Sequence, residues 1–172
     1  QIAAVSAKNR NKKRKYKINK KIFYTDPIKI IKKIKPDVLF EVIGQSDGIS
    51  KKVVETALRN QIHVITPNKG LISKHGDYLS KLAEDNNVNL EFEASVAGGI
   101  PIIRTIKEGL ATNKISKVYG ILNGTTNYIL SEMRDSRDSF ANVLKKAQSL
   151  GYAEPGNPKL DLNGFDAFAK VR

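Results

Sequence analysis

The sequence predicts an α/β fold built on a mainly parallel sheet. Short apolar runs alternate with amphipathic stretches of helical length, the pattern of successive βα units. Clusters of Gly, Pro, Asn and Asp stand between them as turns. With 172 residues and 40% apolar content, the chain can bury one sizeable core or contribute to two.

Residues 1–7 read as a strand, 8–21 as a polar loop, and Ile22 to Thr25 as a short β run. Asp26 suits an N-cap and Pro27 a first helical position. Ile28, Ile30, Ile31 and Ile34 then recur at helical spacing until Pro36-Asp37. Val38 to Ile43 is a nearly continuous apolar run, as expected of a buried parallel strand. After a turn from Gly44 to Gly48, Ser50 is the candidate cap of a helix reaching Asn60. Its inner face is Val53, Val54, Ala57 and Leu58. His63 to Thr66 is the next strand, Pro67 to Gly70 a loop, and Leu71 to Glu84 a helix that contains Gly76. Leu90 to Val96 reads as a strand, Ala97-Gly98-Gly99 as a turn, and Pro101 as the start of a helix. Lys117 to Leu122 is a further strand, and Asn123-Gly124 turns into a helix over Thr125 to Met133. Ser139 to Leu150 is helical and Gly151 ends it. Pro155, Gly156 and Pro158 form a loop, and Asp161 opens a last helix. A domain change near Gly98-Gly99 divides the chain into 1–99 and 100–172. Gln1 to Val5 reads as the interior of a strand and Ala167 to Arg172 as an unfinished helix, so both ends are expected to be cuts in a longer chain.

Composition narrows the class. There is no cysteine, so disulfides and thiolate metal sites are excluded, and a reducing cytoplasm is the expected setting. No apolar run approaches the ~18 residues of a membrane span. The net charge is +13, but residues 8–35 hold 13 Lys and Arg against one acid, Asp26. That segment therefore carries +12 and the remainder +1. A nucleic-acid-binding protein is disfavoured by this near-neutral remainder, and the Lys-rich stretch reads as a solvated surface.

Five motifs go further than composition. They are Thr66-Pro67-Asn68-Lys69-Gly70; Phe92-Glu93-Ala94-Ser95-Val96-Ala97-Gly98-Gly99-Ile100-Pro101; Gly120-Ile121-Leu122-Asn123-Gly124-Thr125-Thr126-Asn127-Tyr128; Gly151-Tyr152-Ala153-Glu154; and Asp161-Leu162-Asn163-Gly164-Phe165-Asp166 through Lys170. In this order the chain from Thr66 to Lys170 closely resembles homoserine dehydrogenases. The resemblance implies a partial Rossmann-type NAD(P)-binding domain over 1–99. A partial α+β substrate and dimerisation domain follows over 100–172. The implied reaction is reduction of L-aspartate 4-semialdehyde to L-homoserine in threonine and methionine biosynthesis. The alternatives are a related NAD(P)-dependent dehydrogenase of another small amino acid, or a fragment inactive by itself.

The resemblance also assigns roles. Lys170 is similar to the family's general acid/base lysine. Asp166, one helical turn earlier, and Glu154 are similar to the carboxylates that grip the substrate amine. Lys69 is similar to the active-site lysine beside cofactor and substrate, where a cation stabilises developing negative charge. Asp161 is either a third substrate-side carboxylate or the N-cap of the helix that carries Asp166 and Lys170. A sodium ion is implied at the positions of Glu93, Val96, Gly98 and Ile100, held largely by backbone carbonyls. A homodimer is implied for the full-length protein. One departure stands out: six residues separate Glu154 from Asp161, where the family usually has five, and Asn157 replaces an acid.

The cofactor reading is more indirect. The G-x-G-x-x-G fingerprint does not occur in the chain. If residues 1–7 are the second strand of a Rossmann half, its end selects the cofactor. Ser6-Ala7-Lys8-Asn9-Arg10 offers bases and no acid, which favours NADP over NAD, with Lys8 and Arg10 at the extra phosphate. Gly44 and Gln45 end the next strand, where backbone can approach the nicotinamide ribose. Gly151 and Lys69 complete the expected cofactor contacts.

Overall fold

The computed structural model describes residues 1–155 and 158–172. These residues form two compact units, Gln1–Ala111 and Thr112–Arg172.

The first unit carries all the strands among the described residues. β1 (Val5–Ser6) pairs parallel with β2 (Phe23–Tyr24), joined by a polar loop and a 3₁₀ turn. α1 (Pro27–Ile34) follows, with Asp26 accepting from the Ile28 amide as its cap and Pro27 in the first turn. Lys35 ends it in the left-handed region at φ 47°. β3 (Val38–Phe40), α2 (Ile49–Arg59), β4 (His63–Ile65), α3 (Lys69–Asp85) and β5 (Leu90–Glu91) then alternate. Their sheet runs in the order β3-β4-β5, with every pairing parallel. The register sets Leu39 beside Val64, and Val64 beside Leu90. This row joins the core with Val53, Val54, Ala57 and Leu58 of α2 and Leu71, Leu79 and Leu82 of α3. The inward face expected for α2 is therefore the buried one. α3 runs through Gly76, where an added Cβ would stand 3.3 Å from Ile72 Cγ2.

Several elements depart from the sequence expectation. The strand over 1–7 is paired only at Val5–Ser6. The run Val38 to Ile43 is not a buried strand, since pairing covers Val38–Phe40 and Val38, Phe40, Val42 and Ile43 are exposed. β3 is an edge strand, and the pleat turns Val38 and Phe40 away from the helices. Ser50 does not cap α2. Gly48 occupies the N-cap, while buried Ser50 accepts from the Gln45 amide. The strand expected to reach Val96 stops at Glu91. Thr66 N–H bonds Glu91 O at 2.9 Å, and the next amide due to face that strand, Asn68 N–H, turns to Thr66 Oγ1 at 3.0 Å instead, which ends the ladder. Phe92 to Ser95 then tightens into a 3₁₀ turn. Pro101 precedes a short helix, α4 (Ile102–Arg104), which widens into a π turn over Thr105–Gly109.

The second unit is helical. Lys117 to Leu122, expected as a strand, has no ladder partner among the described residues; Val118, Tyr119 and Ile121 are exposed. Alternation alone makes no strand without a neighbour to take its N–H groups. α5 (Gly124–Ser136) is capped by Asn123 and packs on α6 (Phe140–Ser149), capped by Ser139. Ile129, Val143, Ala147 and Ala153 form their small core. Tyr128 and Tyr152 stack beside it with ring centroids 4.6 Å apart. Gly151 follows in the left-handed conformation at φ 79°. The loop expected at Pro155–Pro158 falls partly on Gly156 and Asn157, outside the described residues. The last helix does not begin at Asp161. It is split into α7 (Lys159–Leu162) and α8 (Phe165–Val171) by Gly164 at φ 77°.

Candidate active site

In the second unit, three of the residues expected to act on substrate, Asp161, Asp166 and Lys170, converge at the start of α5. Asp166 and Lys170 lie one turn apart on α8, and Lys170 Nζ is 2.7 Å from Asp166 Oδ2. The Lys170 ammonium also donates to Leu122 O at 2.7 Å. Its side chain is 18% exposed and that of Asp166 7%. An ammonium has three donors. These two bonds fix its position and leave one N–H for an incoming oxygen.

Asn123 joins the cluster and was not expected as a site residue. Its Nδ2 donates to Asp166 Oδ2 at 2.8 Å and to Asp161 Oδ1 at 2.9 Å. Its Oδ1 accepts from the Thr126 amide at 2.8 Å, which caps α5. Only a side-chain amide offers two donors and an acceptor at once. A serine could cap the helix but could not bridge two acids, and an aspartate would set a third carboxylate against them. Buried Thr125 donates to Tyr152 O at 2.5 Å, tying the same turn to the segment after α6. In the sequence, Asn123-Gly124 looked like a common turn dipeptide. The missed signal was Asn123 itself, a favoured N-cap residue directly ahead of a helix.

Asp161 is not the N-cap of the helix that carries Asp166 and Lys170, since Gly164 takes that place. Its carboxylate instead faces the Asn123 amide. Glu154 is exposed. Its backbone carbonyl accepts from Gln148 Nε2 at 3.1 Å, and its carboxylate has no hydrogen-bond partner among the described residues. Asn123 thus gathers Asp161, Asp166 and Lys170, while Glu154 stands apart from these contacts.

In the first unit, the expected positions lie at the C-terminal ends of parallel strands, where ligands bind open α/β sheets. Gly44 follows β3 with φ 86°, and a Cβ there would meet nothing within 4 Å. Gln45 is exposed beside it. Lys69 is the first residue of α3 and half-buried. Asn68 caps that helix by accepting from the Leu71 amide at 3.1 Å. Asp47, on the turn after Gln45, is bonded by Lys74 and by His75 Nε2 (2.8 Å). These partners hold its carboxyl down at about 2.

Lys8 and Arg10 follow β1 and are exposed. Arg10 donates to Lys20 O at 3.0 Å, and its guanidinium lies 5.9 Å from the Phe23 ring centre. Arg14 also lies over that ring, at 5.2 Å. Arg10, Arg14 and Phe23, but not Lys8, border a cavity of about 530 Å³ that Lys12, Lys17 and Lys20 also line. Glu93 turns inward. Its carboxylate accepts from the Ile103 and Arg104 amides, each at 2.9 Å, at the start of α4. Among the described residues no group of three His, Asp or Glu side chains could hold a metal ion. No described helix is long and apolar enough to cross a membrane.

Comparison with known proteins agrees with this geometry. Residues 1–93 match the family model described as homoserine dehydrogenase, NAD binding domain, and residues 101–172 match that of homoserine dehydrogenase. The chain is 48% identical over 149 residues to the homoserine dehydrogenase of Neisseria gonorrhoeae, covering 87% of this chain and 34% of the relative. It is 42% identical over 170 residues to that of Bacillus subtilis, covering 99% and 39%. A crystal structure of a Thiobacillus denitrificans homoserine dehydrogenase superposes with a TM-score of 0.80 at 44% identity, covering 87% of this chain and 34% of that one. A hyperthermophilic archaeal homoserine dehydrogenase in complex with NADPH gives 0.80 at 30% identity, covering 87% and 46%. The chain thus spans less than half the length of each of these proteins. Its first unit has the fold of a Rossmann-like NAD-binding domain. The chain belongs to the homoserine dehydrogenase family.

Proposed function

We propose that the protein containing this chain reduces L-aspartate 4-semialdehyde to L-homoserine, in threonine and methionine biosynthesis. The observation that carries this reading is the Lys170–Asp166 pair, locked at 2.7 Å by α8 and tied through Asn123 to Asp161. When bound, a reduced nicotinamide supplies hydride to the aldehyde carbon. Lys170 gives a proton to the aldehyde oxygen as it gains negative charge, and Lys69 has the role of the family's active-site lysine on the resemblance alone. Asp166, Asp161 and Glu154 attract the substrate ammonium. Fixed donors and acceptors need little reorganisation as charge develops, which is the main source of their effect.

The nucleotide is NADP in this reading. The open space at Gly44 fits a closely approaching cofactor, with Gln45 and Lys69 beside it. Lys8 and Arg10 take the extra phosphate, and the absence of an acid after β1 supports that choice. NAD remains the second cofactor to assay. Gly151 joins the cofactor contacts on the family resemblance alone. A sodium ion, if held at Glu93, Val96, Gly98 and Ile100, has main-chain oxygens for ligands, since the Glu93 carboxylate is committed to two amides. The protein is a cytoplasmic homodimer in this reading.

The test is an assay of the purified full-length protein, following NADPH and NADH oxidation with aspartate semialdehyde, and NADP reduction with homoserine or malate. Turnover confined to homoserine and its semialdehyde, faster with the phosphorylated nucleotide, is expected. Turnover with malate alone would overturn the assignment.

A further inference from the structure

We infer that Glu41 is a positioning residue of the active site, a clamp that sets the cofactor-side loop and Lys69 in register. This rests on the homoserine dehydrogenase reading. Glu41 is an acid within an apolar run, and only 2% of its surface is exposed. Burying a carboxylate is costly unless donors surround it. Among the described residues no cation bonds it; neutral donors from two loops do.

Oε1 accepts from the Ile43 amide at 2.7 Å, with the Gly44 amide at 3.4 Å. Oε2 accepts from the Thr66 hydroxyl at 2.7 Å and from Asn68 Nδ2 at 3.2 Å. One carboxylate therefore joins the loops that follow two adjacent parallel strands. Asn68 carries the connection onward. Its Nδ2 also donates to Gln45 O at 2.8 Å, and its Oδ1 caps α3, whose first residue is Lys69. Thr66 Oγ1 accepts from the Asn68 amide at 3.0 Å. The fit is close, since a Cβ added at Gly70 would stand 3.3 Å from Ser46 Cβ.

Glutamine cannot replace this group. Backbone N–H groups cannot reverse, so its oxygen must face Ile43 and Gly44 and its NH₂ must face Thr66 and Asn68. Asn68 then either opposes a donor with its own NH₂ or turns over and gives up the α3 cap. In both cases Lys69 loses its fixed position.

The experiment compares Glu41→Gln, Thr66→Val and Thr66→Ser in the full-length protein. Hydrogen exchange is read at the Gly44 and Leu71 amides, alongside NADPH affinity and turnover. Thr66→Val removes the two bonds of the Thr66 hydroxyl, to Glu41 and from the Asn68 amide, and guards against a Glu41 variant that fails to fold. Faster exchange at these amides, weaker NADPH binding and a turnover loss of about a hundredfold are expected for Glu41→Gln and Thr66→Val. Thr66→Ser restores all three. Wild-type turnover in Thr66→Val despite faster exchange, or an equal loss in Thr66→Ser, overturns the assignment. An unmodified protein that fails to turn over homoserine refutes the dehydrogenase reading instead; exchange at Gly44 and Leu71 then decides alone whether the clamp exists.

Discussion

The side-chain amide of Asn123 donates to the Asp166 carboxylate at 2.8 Å, across 43 positions of sequence. The same amide reaches Asp161 and caps α5, so one residue fixes a helix start and two acids. Asn123→Ala should lower stability by about 1–3 kcal/mol, from the lost cap and the acids left short of a donor. Urea denaturation of the full-length protein measures this. Asn123→Asp keeps a cap acceptor but adds a third carboxylate, so its deficit should shrink as pH falls and the acids protonate. A deficit independent of pH would count against this picture.

Lys170→Met removes the proposed proton donor while keeping most of the side-chain volume. Turnover should fall by about 10²–10⁴-fold, the range for a general acid. NADPH affinity should hold, because the proposed cofactor contacts belong mainly to the first unit. Fluorescence titration and steady-state rates separate the two effects. A matched loss of cofactor binding would point to a structural role.

Leu58 is fully buried between the helices and sheet of the first unit. Leu58→Ala should destabilise that unit by about 2–5 kcal/mol, through lost burial and the cavity left behind. Ile2→Ala, at a position 71% exposed, should have little effect. Comparable losses in the two variants would show that the core lies elsewhere.

Asp47 makes a pH-dependent contribution whose sign is defined. Its carboxyl is held at about 2 by the bonds from Lys74 and His75, against ~3.9 for an unperturbed aspartate. A lowered folded-state value means that the contribution is present above ~pH 4 and is lost as pH falls toward 2. The group is exposed, so the effect is small and weakens with salt. Thermal melts of the wild type and Asp47→Asn should converge across that window and separate above it. Curves that stay parallel throughout would argue against the linkage.

Much of this chain is legible from local pattern. Asp26 and Pro27 mark the start of α1, and Val53, Val54, Ala57 and Leu58 mark the inner face of α2, because caps and apolar spacing act within a turn or two. The Asp166–Lys170 pair is also local, separated by one helical turn. Tertiary structure decided what depends on a partner. Leu90 to Val96 and Lys117 to Leu122 carry β-like residues, yet pairing stops where the Asn68 amide of the neighbouring segment turns to the Thr66 hydroxyl, or where no neighbour stands among the described residues. Glu41 and Asn123 acquire their roles only when segments 25 to 43 positions away supply their partners. The amino-acid order determined most of the helices, the family motifs and which groups are proposed to react. Folding alone decided which buried polar atoms hold those groups still, because a hydrogen bond is set by distance in space and not by spacing along the chain.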